Sequence, residues 1–269
     1  MCGLLLGGTS WATTVVNFDD YGIGGSLLPS NGAQPDAFIK VYDRDLSTGS
    51  GEIHSIVRLH SNDTFEEGFN TDYRPPQHNE NPSPTFTRDL DLNMVPWFNT
   101  IGDEDDIYLE FLLDINQTGS TPPVSMLKLE VYLSNDENLS SLSGAQLLWA
   151  LDNSYRVDIS PTNSGSGEGD LLVYIPISYD DFSYKYVNLY SKFGDDPNDP
   201  NSEGAYEAAS GFEEWAVILY KTGGGTIGDP VDPPDPPDQP STMPEPGSLI
   251  LLGTGLAGLG LAARRRIRK

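Results

Sequence analysis

Cysteine and histidine are almost absent from the sequence. It contains one cysteine, Cys2, and three histidines among 269 residues. Cys2 lies in a predicted leader segment, so the rest of the chain has neither a disulfide nor a catalytic cysteine. His54 and His60 would lie roughly 20 Å apart along one strand, which is too far for a shared ion. These scarcities exclude a disulfide framework and disfavour a histidine metal centre.

Positive charge is also scarce over most of the chain. The sequence has forty acidic and fifteen basic residues, a formal net charge of −25. Five of the basic residues lie within the last six positions, so residues 1–263 hold only ten. Such a body repels nucleic acid and anionic membrane surfaces. It suits divalent cations or cationic partners, or the charge simply keeps an exported protein soluble.

The sequence lacks the common catalytic signatures. It has no Gly-x-Ser-x-Gly elbow, no phosphate-binding glycine loop with a lysine and no His-Glu-x-x-His. A glycosidase needs two carboxyls roughly 5–10 Å apart across a cleft, and sequence alone does not place any pair so. We therefore expect that the protein is not an enzyme. A polysaccharide hydrolase is one alternative. Adjacent acids occur at Asp19-Asp20, Asp103-Glu104-Asp105-Asp106, Asp180-Asp181, Asp195-Asp196 and Glu213-Glu214.

Residues 1–12 predict part of a signal peptide. A short apolar run extends from Cys2 to Gly8, and Ser10-Trp11-Ala12 follows. Signal peptidase accepts small residues at this spacing, so we expect cleavage after Ala12. No lysine or arginine precedes the apolar run. We therefore interpret the segment as the end of a longer leader that uses the Sec and signal peptidase machinery.

The C-terminal part of the chain changes composition in an ordered way. Residues 223–243 are rich in Gly, Pro and Asp, which predicts an extended linker. Pro244-Glu245-Pro246 follows, and then sixteen uncharged residues from Ser248 to Ala263. As a helix this run spans about 24 Å, against a hydrocarbon core of about 30 Å. We expect a short transmembrane helix whose basic end stays cytoplasmic and stops translocation. The basic residues are Arg264, Arg265, Arg266, Arg268 and Lys269.

This order of triplet, apolar span and basic end resembles the PEP-CTERM sorting signal, here over residues 244–269. Gram-negative bacteria that make exopolysaccharide export proteins with this signal. The resemblance implies processing by exosortase, a membrane protease or transpeptidase, near Pro244-Glu245-Pro246. It also implies an inner-membrane intermediate, held through residues 248–263, and a final place at the cell surface or in the extracellular matrix.

The body, residues 13–222, is dominated by alternating apolar and polar residues. "DIYLEFLLDI" places Ile107, Leu109, Phe111, Leu113 and Ile115 on one face, and "MLKLEVYLS" places Leu127, Leu129, Val131 and Leu133 on one face. Such alternation predicts strands with one buried face. About ten segments of this kind, separated by turn residues, predict an all-β antiparallel sandwich or jelly roll. The other segments are "TTVVNF", "AFIKVY", "EIHSIVRLH", "LLWALD", "YRVDI", "LLVYIPI", "YVNLYS" and "EEWAVILYK".

One acidic loop is a candidate calcium site. "GDDPNDPNSEG" holds six carboxylate or amide side chains in nine positions. Calcium takes six to eight oxygens, although the spacing does not match an EF-hand. A solvated turn explains the same composition, so calcium is an optional cofactor and no other is expected. The candidate ligands are Asp195, Asp196, Asn198, Asp199, Asn201 and Glu203.

Aromatic residues suggest a second alternative for the body, a carbohydrate-binding module that holds exopolysaccharide. Exposed rings can stack on sugars, and Trp97 follows Pro96 at a change from polar to apolar sequence. Trp149 and Trp215 lie in apolar strand patterns and are expected in the core. The favoured interpretation is an exported surface or matrix protein without enzymatic activity.

Overall fold

Fourteen β-strands make up most of the described chain. The computed structural model describes residues 14–17, 26–32, 34–42, 53–100, 103–117, 123–161, 169–208 and 211–219. The strands are β1 (Thr14–Asn17), β2 (Ser26–Leu28), β3 (Ala37–Val41), β4 (Ile53–Leu59), β5 (Phe65–Phe69), β6 (Leu90–Asp91), β7 (Trp97–Thr100), β8 (Asp103–Asn116), β9 (Val124–Ser134), β10 (Gln146–Ala150), β11 (Tyr155–Ile159), β12 (Leu171–Ile177), β13 (Tyr186–Gly194) and β14 (Phe212–Ile218).

Helical structure in the described ranges is limited to short 3₁₀ turns. They span Leu92–Met94, Leu142–Gly144 and Tyr179–Ser183. Within these ranges no helix has the length and apolar character needed to cross a membrane. The predicted linker, at 223–243, and the predicted span, at 248–263, lie outside the described residues.

The strands form two seven-stranded sheets. The first runs β1-β11-β9-β13-β5, with β10 beside β9 and β6 beside β13. The second runs β2-β3-β12-β8-β14-β4, with β7 beside β8. Neighbouring strands pair antiparallel except β1 and β11, which are parallel. The predicted all-β antiparallel class is confirmed, with that one parallel pair as an addition.

One large apolar core contains inward side chains of both sheets. On β8 the five predicted inward residues are at most 1% exposed, which confirms the face inferred from alternation. Trp149 on β10 and Trp215 on β14 are both fully buried, as expected. Fully burying side chains of this size contributes about 2–3 kcal/mol each before the entropy of ordering is counted.

The predicted face of β9 is wrong at Leu127. On the neighbouring strand Lys192 pairs with Lys128, and the next residue, Phe193, pairs with Met126. Leu127 is therefore an extra residue in β9, a bulge that reverses the alternation. Met126 and Val124 continue the inner face in its place.

The long polar loop at 70–84 lies along one edge of the molecule. Asn79 bonds on one side to Glu67 of β5 and on the other to His60, just after β4. Asn81 continues the contact by donating from its backbone to Arg58 of β4. The loop therefore joins the end strands of the two sheets and covers backbone groups that an open edge would expose.

Candidate functional site

The acidic loop at 195–203 is organised around a lysine from β13. The Lys192 ammonium bonds the Asp196 carboxylate and lies 3.7 Å from both Asp199 and Glu67. Burial opposes the charge on Lys192, but the bond to Asp196 and the attraction of all three carboxylates hold its pKa above the ordinary value. Burial likewise acts against the Asp196 carboxylate, and Lys192 and Asn198 outweigh it, so the Asp196 pKa is lowered.

The backbone of the same loop is held by an arginine from β11. Arg156 donates to the carbonyl oxygens of Asn201 at 2.8 Å and Glu203 at 2.9 Å. Its Nε also donates to Asp158 at 2.9 Å. The chain then leaves the loop through Gly204, whose φ of +73° favours glycine.

Lys192 and Arg156 therefore already bind several of the oxygen atoms that the loop could offer to a metal ion. Asp196 and Asp199 are directed towards Lys192, and backbone carbonyls are directed towards Arg156. Over the part of the chain that the structure describes, no three His, Cys, Asp or Glu side chains are arranged to hold a metal ion. Calcium binding by Asp195, Asp196, Asn198, Asp199, Asn201 and Glu203 stays a prediction, with Lys192 as its internal competitor.

A second polar group adjoins Lys192 and was not predicted from the sequence. Glu67 lies 3.5 Å from the His78 ring and accepts a hydrogen bond of 2.5 Å from the Tyr190 hydroxyl. The bond to His78 is the main cause that lowers the Glu67 pKa to about 2. The same bond raises the His78 pKa, while burial and the bond to Glu67 raise that of Tyr190.

Two of the adjacent acids make contacts that stabilise the local structure. Asp181 accepts from the Ser178 backbone at 3.0 Å and hydroxyl at 2.7 Å, at the start of a 3₁₀ turn. Glu214 pairs with Arg58, whose guanidinium lies 3.5 Å from the centre of the Phe86 ring. Glu213 is fully buried. A fully buried carboxyl does not reach a polysaccharide.

Trp97, the predicted sugar-stacking residue, is half-buried against the core. Its ring packs edge-on to Phe182 with the ring centres 6.0 Å apart. On β7 it pairs with Leu109, an inward residue of β8. The face of this ring is only partly open for stacking.

Three rings, of which one is exposed, lie with two charged side chains on the outer face of the second sheet. We call this group the aromatic patch: Phe38, Lys40, Tyr108, Glu110 and Tyr174. Phe38 is 37% exposed and packs edge-on to Tyr108 at 5.2 Å. Tyr174 lies beside Phe38 in the strand register, beneath the Lys40 ammonium at 5.3 Å. The Tyr174 hydroxyl donates to Glu110 at 2.7 Å. The patch therefore combines apolar rings with fixed polar groups.

A cleft of about 330 Å³ adjoins this patch through Tyr108. Ser178 and Asp181 supply polar groups to its wall, and Pro35 and Ile177 supply apolar surface. The volume falls at the small end of the usual range for ligand sites.

Comparisons with known proteins identify the C-terminal end and nothing else. Residues 244–266 match the family model of the PEP-CTERM protein-sorting motif. No curated protein and no solved structure matches the chain. Pro244, Glu245, Pro246 and the basic residues from Arg264 onward lie outside the described residues. The match implies export, a membrane-anchored intermediate and exosortase as the processing partner. The chain is a protein with a C-terminal PEP-CTERM sorting motif.

Proposed function

We propose that this protein is an exported, non-enzymatic component of the cell surface or extracellular matrix. Its β-sandwich body would be carried on a Pro/Asp-rich linker and released from the membrane by exosortase. The observation that carries the proposal is the sorting motif at residues 244–266. The excess of acidic over basic residues supports a body that stays soluble outside the cell.

The physical basis of sorting is a temporary stop in the membrane. A span of about 24 Å is short for a bilayer core of about 30 Å, and its four glycines lower helix propensity. Such a segment suits a transient anchor better than a permanent one. The basic end supplies the charge that opposes passage through the membrane.

Removing the positive charge of the tail should abolish this stop. With Arg264, Arg265, Arg266, Arg268 and Lys269 all replaced by Ser, we expect most of the protein to leave the membrane unprocessed or to be degraded. Membrane fractionation of the native host, followed by immunoblotting against the body, measures this. Lysine replacements at the four arginines keep the charge and serve as the control. A Ser variant that is retained and processed like the parent would contradict the proposed role of the charge.

Carbohydrate binding is a second candidate, and the aromatic patch favours it. Exposed Phe38 offers a ring face beside the half-buried Tyr174 ring, and the Lys40 ammonium offers hydrogen-bond donors. Tyr108 and Glu110 are buried and hold Phe38 and Tyr174 in place from below. Rings with fixed polar neighbours suit a pyranose, which has an apolar face and a rim of hydroxyls. In this candidate the patch, more than Trp97, would hold exopolysaccharide.

Pull-down with exopolysaccharide from the host tests this candidate. We expect Phe38→Ala to weaken binding at least tenfold, because it removes the most exposed ring of the patch. Leu27→Ala is the matched control, since Leu27 pairs with Phe38 across β2 and β3 and is 55% exposed without an aromatic ring. If Phe38→Ala and Leu27→Ala bind like the parent and Trp97→Ala does not, the patch is excluded and the face at Trp97 is supported.

A further inference from the structure

Two glutamates from opposite sheets meet in the interior of the sandwich. Glu66 lies on β5 of the first sheet and is 1% exposed, and Glu213 lies on β14 of the second sheet and is 0% exposed. Their carboxyl groups are within hydrogen-bonding reach of each other. The contact therefore bridges the two sheets through acidic groups that water does not reach.

Two of the four carboxyl oxygens of this pair have a hydrogen-bond donor, and the other two have none in the part of the chain that the structure describes. Glu66 Oε2 accepts from the Ser61 backbone at 2.9 Å, and Glu213 Oε1 accepts from the Gln117 amide. Glu66 Oε1 and Glu213 Oε2 are buried and have no hydrogen-bond donor among the described residues. Two ionised carboxylates in contact without a donor between them would repel each other strongly in a dry interior.

A proton between the two oxygens without a donor explains the contact better than a metal ion. Calcium takes six to eight oxygens, whereas only two oxygens of the pair are left over. No arrangement of three or more metal-binding side chains occurs in the described ranges. One proton, by contrast, makes one carboxyl a donor and the other an acceptor, which forms a short and strong O–H···O⁻ bond.

We propose that Glu213 and Glu66 share one proton at neutral pH and act as a pH-sensitive latch between the two sheets. Glu213 is the protonated partner and Glu66 the ionised one. The latch is closed while the proton is bound. When the proton leaves, two buried negative charges face each other and the contact between the sheets weakens.

The surroundings of the pair support this assignment of the proton. Burial raises the pKa of both groups, and the bond and charge of Glu66 with the charge of Asp114 on β8 raise that of Glu213 further. At Glu66 the bonds from Glu213 and Ser61 and the charge of His60, just after β4, oppose the effect of burial. Glu214, the next residue of β14, is paired with Arg58.

The raised pKa of the pair sets the direction of the pH effect. Between the pKa of an unfolded glutamate, about 4.3, and that of the folded pair, the folded protein binds one more proton than the unfolded chain. Its stabilisation is fully present below about pH 4.3 and falls as pH rises, by about tenfold in the folding constant per pH unit. The loss ends once pH passes the pKa of the folded pair.

Glu213→Gln in the full chain, kept in nonionic detergent, tests the latch. A glutamine amide donates to Glu66 and accepts from Gln117, so it reproduces the protonated state at every pH. We expect its thermal midpoint to be close to that of the parent near pH 5 and to exceed it at pH 8, because only the parent releases a proton at this position when it unfolds above about pH 4.3. His78, whose pKa is also raised, is common to both proteins, so its effect cancels in the difference.

Glu214→Gln is the matched control. It breaks the pair with Arg58 on the other face of β14 and should lower the midpoint while the parent's dependence on pH is retained. Infrared spectra of the folded parent at pH 7 give a second readout, which does not require the variant to fold. We expect the carbonyl band of a protonated carboxylic acid, and where Glu213→Gln folds we expect that band to be missing.

Three results would overturn the proposal. The first is a folded parent with no protonated carboxyl band at pH 7. The second is a Glu213→Gln variant with the same pH dependence as the parent. The third is a parent whose midpoint falls on addition of a chelator while Glu213→Gln is destabilised at every pH, which would place a cation between the carboxylates.

Discussion

In the Glu245→Gln variant we expect full-length protein to accumulate in the inner membrane, with the processed fraction falling from nearly all to nearly none. Glu245 is the one charged side chain of the triplet, and each flanking proline fixes its own φ and lacks a backbone donor. The carboxylate is therefore the most distinctive group that a processing enzyme can recognise there. The apolar span and its basic end are unchanged, so insertion should proceed as before.

Asp238→Asn in the linker is the control for Glu245→Gln, because it removes the same charge outside the motif. It should be processed like the parent. The measurement is intact mass of the protein in the membrane and surface fractions. Normal processing of Glu245→Gln would show that the triplet acts by its prolines alone or is not the recognition element.

For Lys192→Met we expect a loss of about 3 kcal/mol in the free energy of unfolding. Methionine fills a similar volume but leaves Glu67, Asp196 and Asp199 facing each other without the ammonium. Breaking a buried ion pair costs about 3–5 kcal/mol, and the lower end applies because the Lys192 side chain keeps 11% exposure. Denaturant unfolding followed by fluorescence of the buried Trp149 and Trp215 measures it.

The Lys192→Met deficit should also depend on pH. The folded pKa of Glu67, held at about 2 by His78 first and also by Lys192, lies below its unfolded value. A lowered pKa gives stability that is present above about pH 4 and lost as pH falls towards 2, so the difference between variant and parent should shrink over that range. Lys185→Met, which breaks an exposed pair with Glu137, should leave stability close to that of the parent.

The same experiment separates the two interpretations of the acidic loop. If Lys192 is the cation that organises residues 195–203, millimolar calcium and chelator should leave the parent's unfolding curve unchanged. If calcium binds there, it should stabilise the folded state by mass action, and Asp195→Ala with Asp199→Ala should remove the shift. A Lys192→Met variant that is as stable as the parent at neutral pH would contradict the role assigned to the lysine.

Most of the strands could be predicted because a strand with one buried face has alternating apolar and polar residues in its sequence. The ten predicted segments correspond to β1, β3, β4 and β8 to β14. β5 was not predicted, since "FEEGF" carries two glutamates and a glycine where an apolar alternation would be expected. Its Glu66 is buried because it meets Glu213 of the other sheet, a contact that alternation does not reveal.

Bulges were the other source of error. At Leu127 in β9 one extra residue reverses the alternation, and at Ile56 in β4 the register against β14 also shifts. A bulge depends on how the partner strand pairs, so a single strand's pattern does not contain it. Consequently Ile56 and Val57, which are neighbours in sequence, are both fully buried.

The candidate sites differ in the same way: those made of contiguous residues could be predicted from the sequence, and those assembled from distant residues could not. The sorting motif was readable because its parts are contiguous and in a fixed order. The contacts around the acidic loop were not, because Arg156, which binds the loop, and Glu67, which binds Lys192, are distant from residues 195–203 in sequence and the sheets bring them together. Trp97 was chosen for its polar context, whereas Phe38, in an ordinary strand pattern, is on the more open face.

Intact mass of the protein recovered from the surface of its native host shows whether the C-terminal segment is a sorting signal. We expect a chain that has lost Ser248–Lys269 and ends near Pro244-Glu245-Pro246, with or without an attached group left by exosortase. Surface protein that still carries Arg264 to Lys269 would contradict it, and the segment would then be a lasting membrane anchor.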